Sequence, residues 1–204
     1  MYQRFGKRGF DIVASAVLAI ALLPALAAIA LAIRLRLGAP ILFRQTRPGR
    51  SGAPFEILKF RTMRDACDAT GCPLPDAERL DSFGALIRAL SLDELPELWN
   101  VLRGDMSLVG PRPLLTAYLP RYSAHHMRRH DVRPGITGLA QVSGRNALEW
   151  EQRFRLDLDY VARCSFRLDL ALLGRTLSTT LRRDGISQPG HVTAAAFKGT
   201  AANE

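Results

Sequence analysis

The sequence predicts an α/β protein: a small, helix-rich single domain with short strands, led by a re-entrant, proline-broken membrane helix and carrying interfacial amphipathic helices. Three observations carry this. Residues 12–33 hold no charged side chain but have Pro24 near their middle; two short apolar segments flank a Gly/Pro-rich turn at 47–52; and apolar residues recur at helical spacing in several later segments. At 204 residues the chain has core enough for one domain without covalent staples.

As a straight helix the uncharged run would be about 33 Å long, enough to cross a hydrocarbon core. Pro24 removes a helix hydrogen bond and clashes with the preceding turn, which leaves two halves of about 18 Å, each too short to span. Lys7 and Arg8 precede the run and Arg34 and Arg36 follow it, so a hairpin that enters and leaves on one face keeps both basic flanks on the cytoplasmic side. The alternative is a single kinked span. A cleaved signal is disfavoured because the run is too long, although Ala25-Leu-Ala27 resembles a cleavage triplet. Residues 1–36 are thus expected as a membrane hairpin in one leaflet, and residues 37–204 as a domain on the cytoplasmic face.

The net charge of +9 and a pI near 10.3 call for an anionic partner: nucleic acid, anionic lipid or a phosphorylated small molecule. Cys67, Cys72 and Cys164 cannot all pair and lack zinc-ligand spacing, which fits free thiols in a reducing compartment.

Along the domain, residues 41–44 and 55–60 read as strands, 64–78 as a polar loop, and 79–90 as a helix with Leu80, Phe83, Ile87 and Leu90 on one side. Ser91 and Glu94 have the spacing of a capping box, which puts Asp93 and Glu94 in the first turn of a helix whose apolar side is Leu95, Leu98, Trp99 and Leu102. Pro96 allows a second version, with Asp93 as the cap and the helix starting slightly later. In either version two adjacent carboxylates lie at a positive helix end, which favours phosphate oxygens beside them.

Leu114, Leu115, Tyr118, Leu119 and Tyr122 form a stripe suited to the core or to an interfacial helix. His125, His126 and His130 lack the acidic helical partner of a zinc protease. Residues 131–145 read as a Gly-punctuated loop able to wrap backbone N–H groups around an anion, without P-loop spacing. Residues 149–161 read as a helix with Trp150, Phe154, Leu158 and Val161 inward and Asp157 on the polar side. Residues 168–181 read as a core or interfacial helix, and the tail from Gly185 as irregular.

Five segments in order, Lys59-Phe-Arg-Thr-Met63, Leu92-Asp-Glu-Leu-Pro-Glu-Leu98, Asn100-Val-Leu-Arg-Gly-Asp-Met-Ser107, Val109-Gly-Pro-Arg-Pro113 and Val132-Arg-Pro-Gly-Ile-Thr-Gly-Leu-Ala-Gln141, resemble the bacterial sugar transferases, the monotopic phosphoglycosyl transferases. The likeness runs from Tyr2 to about Lys198 and is nearest to the small members that start protein glycosylation from UDP-bacillosamine. It implies transfer of a sugar 1-phosphate from a UDP-sugar to undecaprenyl phosphate at the cytoplasmic face of a bacterial inner membrane, with release of UMP; an N-acetylated donor such as UDP-N,N'-diacetylbacillosamine is the expectation, and UDP-N-acetylglucosamine, UDP-N-acetylgalactosamine and a hexose donor stay open.

By the same resemblance Asp93 is the nucleophile, forming an acyl phosphate that the lipid phosphate resolves. Glu94 is its catalytic partner, and Mg²⁺ is held at Asp93 and Glu94. Lys59, Arg88, Arg112 and Arg145 are candidate phosphate partners. Asp157 matches an active-site position of the family, as Asp169 does more weakly. Leu23 stands before Pro24 where the family has a small polar residue. Two rivals keep other classes open. One is a membrane-tethered nucleic-acid-binding protein, suggested by charge but lacking aromatics interleaved in its basic segments. The other is an aspartyl-phosphate hydrolase, for which no Asp-x-Asp motif is present.

Overall fold

The computed structural model describes residues 2–182 and 196–199. After a wide turn at Tyr2–Gly6 come helix α1 (Lys7–Ala21) and helix α2 (Leu23–Arg36), bent by 63° at their junction. Pro24 sits in the first turn of α2, where no N–H is required, and the hydrogen bonds Leu22 N to Leu18 O and Leu26 N to Leu22 O confine the break to it. No single described helix is long and apolar enough to cross a membrane, but the bent pair passes that test together.

Helix α1 is inverted relative to a helix of a water-soluble domain. Its buried residues are Lys7, Asp11 and Ser15, one turn apart, while Val13, Val17 and Ile20 are exposed. Lys7 pairs with Asp169 at 2.6 Å, and Asp11 accepts from Ser107 Oγ and from the Leu108 N–H. Arg8 donates to the carbonyls of Val101 and Leu102. The far end of α2 is fastened to the same body: Arg61 donates to the Leu37 and Ala39 carbonyls, and Arg36 lies 5.0 Å over the Phe83 ring.

Strands β1 (Leu42–Pro48) and β2 (Pro54–Phe60) form an antiparallel hairpin, in register from Leu42 opposite Phe60 to Pro48 opposite Pro54. The first strand therefore runs four residues past the expected 41–44, and the turn shrinks to 49–53, with Ser51 and Gly52 left-handed. The loop beyond holds a short helix α3 (Asp76–Arg79). The single helix expected over 79–90 is divided, because Asp81 accepts from the Gly84 N–H and starts α4 (Ser82–Ala89) afresh. Gly84 has no substitute here: a Cβ would lie 2.0 Å from the Thr62 carbonyl oxygen.

The capping box does not form. Ser91 is left-handed with no side-chain cap, Leu92–Glu94 is a single 3₁₀ turn, and α5 (Glu97–Arg103) begins only after Pro96, so Asp93 is not a cap either. The turn closes through the backbone, Glu94 N to Ser91 O, which leaves both carboxylates available to the site. Trp99, expected inward, is 57% exposed, whereas Glu97, Leu98, Asn100 and Val101 form the buried face.

Strand β3 (Ser107–Val109) pairs in parallel with β4 (Gly135–Thr137), inside the segment expected to be loop. The pairing brings backbones together so closely that a Cβ on Gly135 would stand 2.0 Å from Gly110 N. The 114–122 stripe is core: a 3₁₀ turn at Thr116–Arg121 places Tyr118 with Phe154 and Phe197, and Leu114, Leu115 and Tyr122 pack around them.

In α6 (Ala124–Met127) His126 stacks on Phe154, and beyond it His130 is hydrogen-bonded to the Gly49 carbonyl. Helix α7 (Leu139–Val142) leads to α8 (Trp150–Arg163), whose buried face is Phe154, Asp157 and Tyr160, with Leu158 and Val161 only half-buried. Helix α9 (Phe166–Arg182) buries Asp169 and Leu172 and exposes Phe166, Leu170 and Leu177. Of the tail expected to be irregular, Phe197 is buried in the aromatic cluster and most of the rest lies outside the described residues. The main core gathers Ile57, Leu98, Val101, Met106, Leu108, Val109, Val142, Tyr160 and Leu172 between the hairpin, α5, the parallel pair and the two last helices.

Candidate active site

Lys59 and Ile57 share the inward face of β2, since side chains alternate along a strand. An ammonium on a buried face needs anionic partners, and Lys59 has two: Glu94 Oε1 at 2.8 Å and Glu97 Oε1 at 3.1 Å. Glu94 Oε1 also accepts from Arg112, which the rigid Gly110–Pro113 segment presents from the end of β3. Glu94 is therefore clamped by two cations on a single oxygen.

The four charges set one another's states. Burial would raise the Glu94 carboxyl, but Arg112 and Lys59 override it and hold the group well below the usual carboxylate range. Glu97 is 2% exposed, and burial pushes its carboxyl up to about 7 against the pull of Lys59. Asp93 is raised, first by burial and then by the charge of Glu94, while Lys59, Arg112 and Arg88 oppose the rise. Among the described residues, no side chain is bonded to the Asp93 carboxylate. It is half-buried beside Glu94, whose charge is compensated by two cations, and it feels Lys59, Arg112 and Arg88 only through their fields.

Arg88 donates to Thr62 Oγ1 at 2.8 Å, which fixes its guanidinium, and its charge reaches Asp93. Of the expected site residues, Lys59, Arg88, Asp93, Glu94 and Arg112 are thus brought together. Arg145, left-handed at φ 50°, is tied to Thr180 of α9 instead. Asp157 is neither on a polar face nor at the surface: it is buried against Arg129, which also donates to the Arg112 carbonyl at 2.7 Å. It meets the site through Arg129 and the backbone of Arg112. Asp169 accepts from Lys7, Tyr2 and Tyr160 and fastens α1 to α9.

Sequence reasoning missed Glu97, Thr62 and Arg129. For Glu97 a signal existed: it falls one helical turn after Asp93 and Glu94, and the inward Lys59 required an acidic partner. The pairing of Arg129 with Asp157 joins segments 28 residues apart and had no local sign.

Mg²⁺ is commonly bound by one or two carboxylates together with substrate phosphates. Asp93, with the Glu94 oxygen that the cations leave open, fits that mode, and among the described residues no larger cluster of metal-ligating side chains occurs. Two surface concavities, one lined by His126, Glu151 and Arg155 and the other by Thr46, Glu56 and Arg103, contain none of the groups around Asp93.

Comparison with known proteins places this constellation. The profile of the family described as bacterial sugar transferase matches residues 2–183. The chain is 55% identical over 168 residues to the uncharacterized sugar transferase EpsL of Bacillus subtilis, covering 82% of this chain and 83% of that one. It is 47% identical over 190 residues to the UDP-glucose:undecaprenyl-phosphate glucose-1-phosphate transferase of Caulobacter vibrioides, covering 87% and 70%. The undecaprenyl-phosphate galactose phosphotransferase of Salmonella typhimurium is 39% identical over 200 residues, 90% of this chain but only 42% of that longer protein. A match along nearly the whole described chain, with the Asp93 motif folded into one charged cluster, leads to one conclusion: this chain belongs to the bacterial sugar transferase family.

Proposed function

We propose that the protein transfers a sugar 1-phosphate from a UDP-sugar to undecaprenyl phosphate, releasing UMP, as the first membrane step of a glycoconjugate pathway. The observation that carries the reading is the unbonded Asp93 carboxylate beside a Glu94 already neutralised by Lys59 and Arg112. A nucleophile has to be unengaged, and an anion attacking a diphosphate needs its surroundings made positive.

An Asp93 oxygen attacks the sugar-side phosphorus; the bond from that phosphorus to the bridging oxygen breaks, and UMP leaves with the electron pair. The resulting acyl phosphate is then attacked by an oxygen of the lipid phosphate, which forms the sugar diphospholipid and frees the carboxylate. Lys59 and Arg112 hold Glu94 and offer their remaining N–H groups to phosphate oxygens, and Arg88, fixed by Thr62, adds its charge near Asp93. Mg²⁺, held at Asp93 and Glu94, would supply charge neutralisation at the diphosphate.

Placement at a membrane follows from α1 and α2. A helix that turns Lys7, Asp11 and Ser15 inward and Val13, Val17 and Ile20 outward is suited to lipid on its outer side. Because both ends of the broken pair are fastened to one folded body, they favour a segment that enters and leaves one leaflet, with its basic flanks at the cytoplasmic face of the inner membrane.

The sugar is the finer point. Two of the relatives named above carry glucose or galactose in their names, whereas the family resemblance pointed first to an N-acetylated donor such as UDP-N,N'-diacetylbacillosamine and left a hexose open. UMP release measured with UDP-glucose, UDP-galactose, UDP-N-acetylglucosamine and UDP-N,N'-diacetylbacillosamine decides it. Turnover with at least one, abolished in Asp93→Asn, is the expected result. Failure with all four, together with salt-dependent duplex binding, would replace the reading with the nucleic-acid one.

A further inference from the structure

We propose that Arg47 and Arg112 form a two-guanidinium subsite for the phosphate oxygens of the nucleotide donor, at the open end of the β1–β2 hairpin. The proposal rests on the donor being a nucleotide diphosphate sugar, as argued above.

Arg47 stands next to last in β1, opposite Phe55. Thr116 Oγ1 donates to the neighbouring Thr46 carbonyl, which ties this end of the strand to the segment that follows Arg112 and Pro113. The Arg47 side chain is half-buried. Its Nη2 donates to Gln45 Oε1 at 2.6 Å, but its Nε is buried with no acceptor among the described residues. A buried charged donor without a partner is costly, and such an orphan points to an acceptor that arrives with a ligand.

The surrounding charges identify that acceptor. Burial, and after it the like charge of Arg112, push Arg47 down to about 10, still protonated at neutral pH. Arg153 is lowered as well, by burial and then by Arg112, but its Nε and Nη2 are engaged with the Leu148 and Asn146 carbonyls. The anions available are Glu94, bonded to Arg112 and Lys59, and Glu97, facing Lys59. Arg47 and Arg112 are thus two cations within each other's field; Arg112 is bonded to Glu94, whereas Arg47 feels the charge of Glu97 but, among the described residues, is bonded to no carboxylate. A diphosphate, with oxygens on both phosphorus atoms, matches this pair. A planar guanidinium binds such oxygens through two parallel N–H groups, which an ammonium cannot do.

The test uses the full chain in lipid nanodiscs, with Arg47→Gln and Arg47→Lys. Arg47→Gln is expected to raise the KM for the UDP-sugar and the inhibition constant of UMP about tenfold or more, with kcat changed much less and the melting temperature close to the parent value. Arg47→Lys, which keeps the charge but loses the fork, should recover part of the effect and gives the reading if the glutamine variant does not fold. Constants within twofold of the parent in a folded variant would overturn the subsite. If the parent turns over no UDP-sugar, the functional reading fails separately. Calorimetric binding of pyrophosphate then tests the subsite alone, and binding that neither substitution weakens would overturn it.

Discussion

Asp93 and Glu94 are neighbours in the chain, but their carboxyls are held in opposite electrostatic conditions. Glu94 takes two cations on one oxygen and stays ionised far into acid; Asp93 takes none and is pushed up by burial and by Glu94 itself. Glu94→Gln removes the charge that orients both Lys59 and Arg112. Because each bond to a charged group contributes about 1.5–3 kcal/mol, kcat should fall on the order of 100-fold while the protein stays folded. Steady-state UMP release with a melting curve checks this.

Glu97 gives a stability prediction whose sign is fixed. Its carboxyl titrates near 7 in the fold and near the ordinary 4.5 when unfolded, so between these values the folded state holds the extra proton. Stability should therefore be greatest below about pH 4.5, as far as this group is concerned, and be lost as pH rises toward 7. Glu97→Gln should flatten that part of the profile, read as the change in denaturation midpoint between pH 5 and pH 8. The Asp93 motif, Lys59 and Arg112 were legible in the sequence because they lie in short contiguous segments. The engagement of Lys59 by Glu97, and of Asp157 by Arg129, was not, because these pairings depend on how the hairpin, α5 and α8 meet.

Among the elements, the β1–β2 hairpin, the break at Pro24 and the last two helices were readable from turn chemistry and periodicity. The parallel β3–β4 pair was not: each strand has three residues, and the glycines that permit the close approach look the same in sequence as those of a loop. The 79–90 helix was misjudged at Asp81, whose carboxylate outbids continued helix by accepting from Gly84. Helix α1 shows the opposite kind of information. Its apolar run was obvious, but the burial of Lys7 and Asp11 emerges only once α9 and β3 supply Asp169 and Ser107. Lys7→Met leaves Asp169 buried without its cation and should lower stability by about 3–5 kcal/mol. The double change Lys7→Met with Asp169→Leu should recover most of it. Denaturant midpoints of the three proteins in one detergent check this.

For the whole molecule, the open question of the sequence was whether residues 1–36 cross the bilayer. Lys7, Arg8, Arg36 and Leu37 are all bonded to, or stacked on, the same folded body, which supports the proposed hairpin over a crossing. In a background without the exposed Cys67 and Cys72 and the half-buried Cys164, single cysteines at Gln3 and Gly38 should both resist an impermeant maleimide added from the periplasm. Pro24→Ala should restore a continuous helix of about 33 Å and move part of the population to labelling at position 3.

In the proposed reading this placement lets one site meet a water-soluble donor and a lipid acceptor in turn, by way of a covalent intermediate on Asp93. The most direct test supplies a UDP-sugar labelled in its β-phosphate to the purified protein, with no polyprenyl phosphate present. The account expects a burst of about one equivalent of UMP per protein and label retained on the chain, chased by added undecaprenyl phosphate and absent in Asp93→Asn. UMP release that depends strictly on the lipid, with no label on the protein at single turnover, would contradict it.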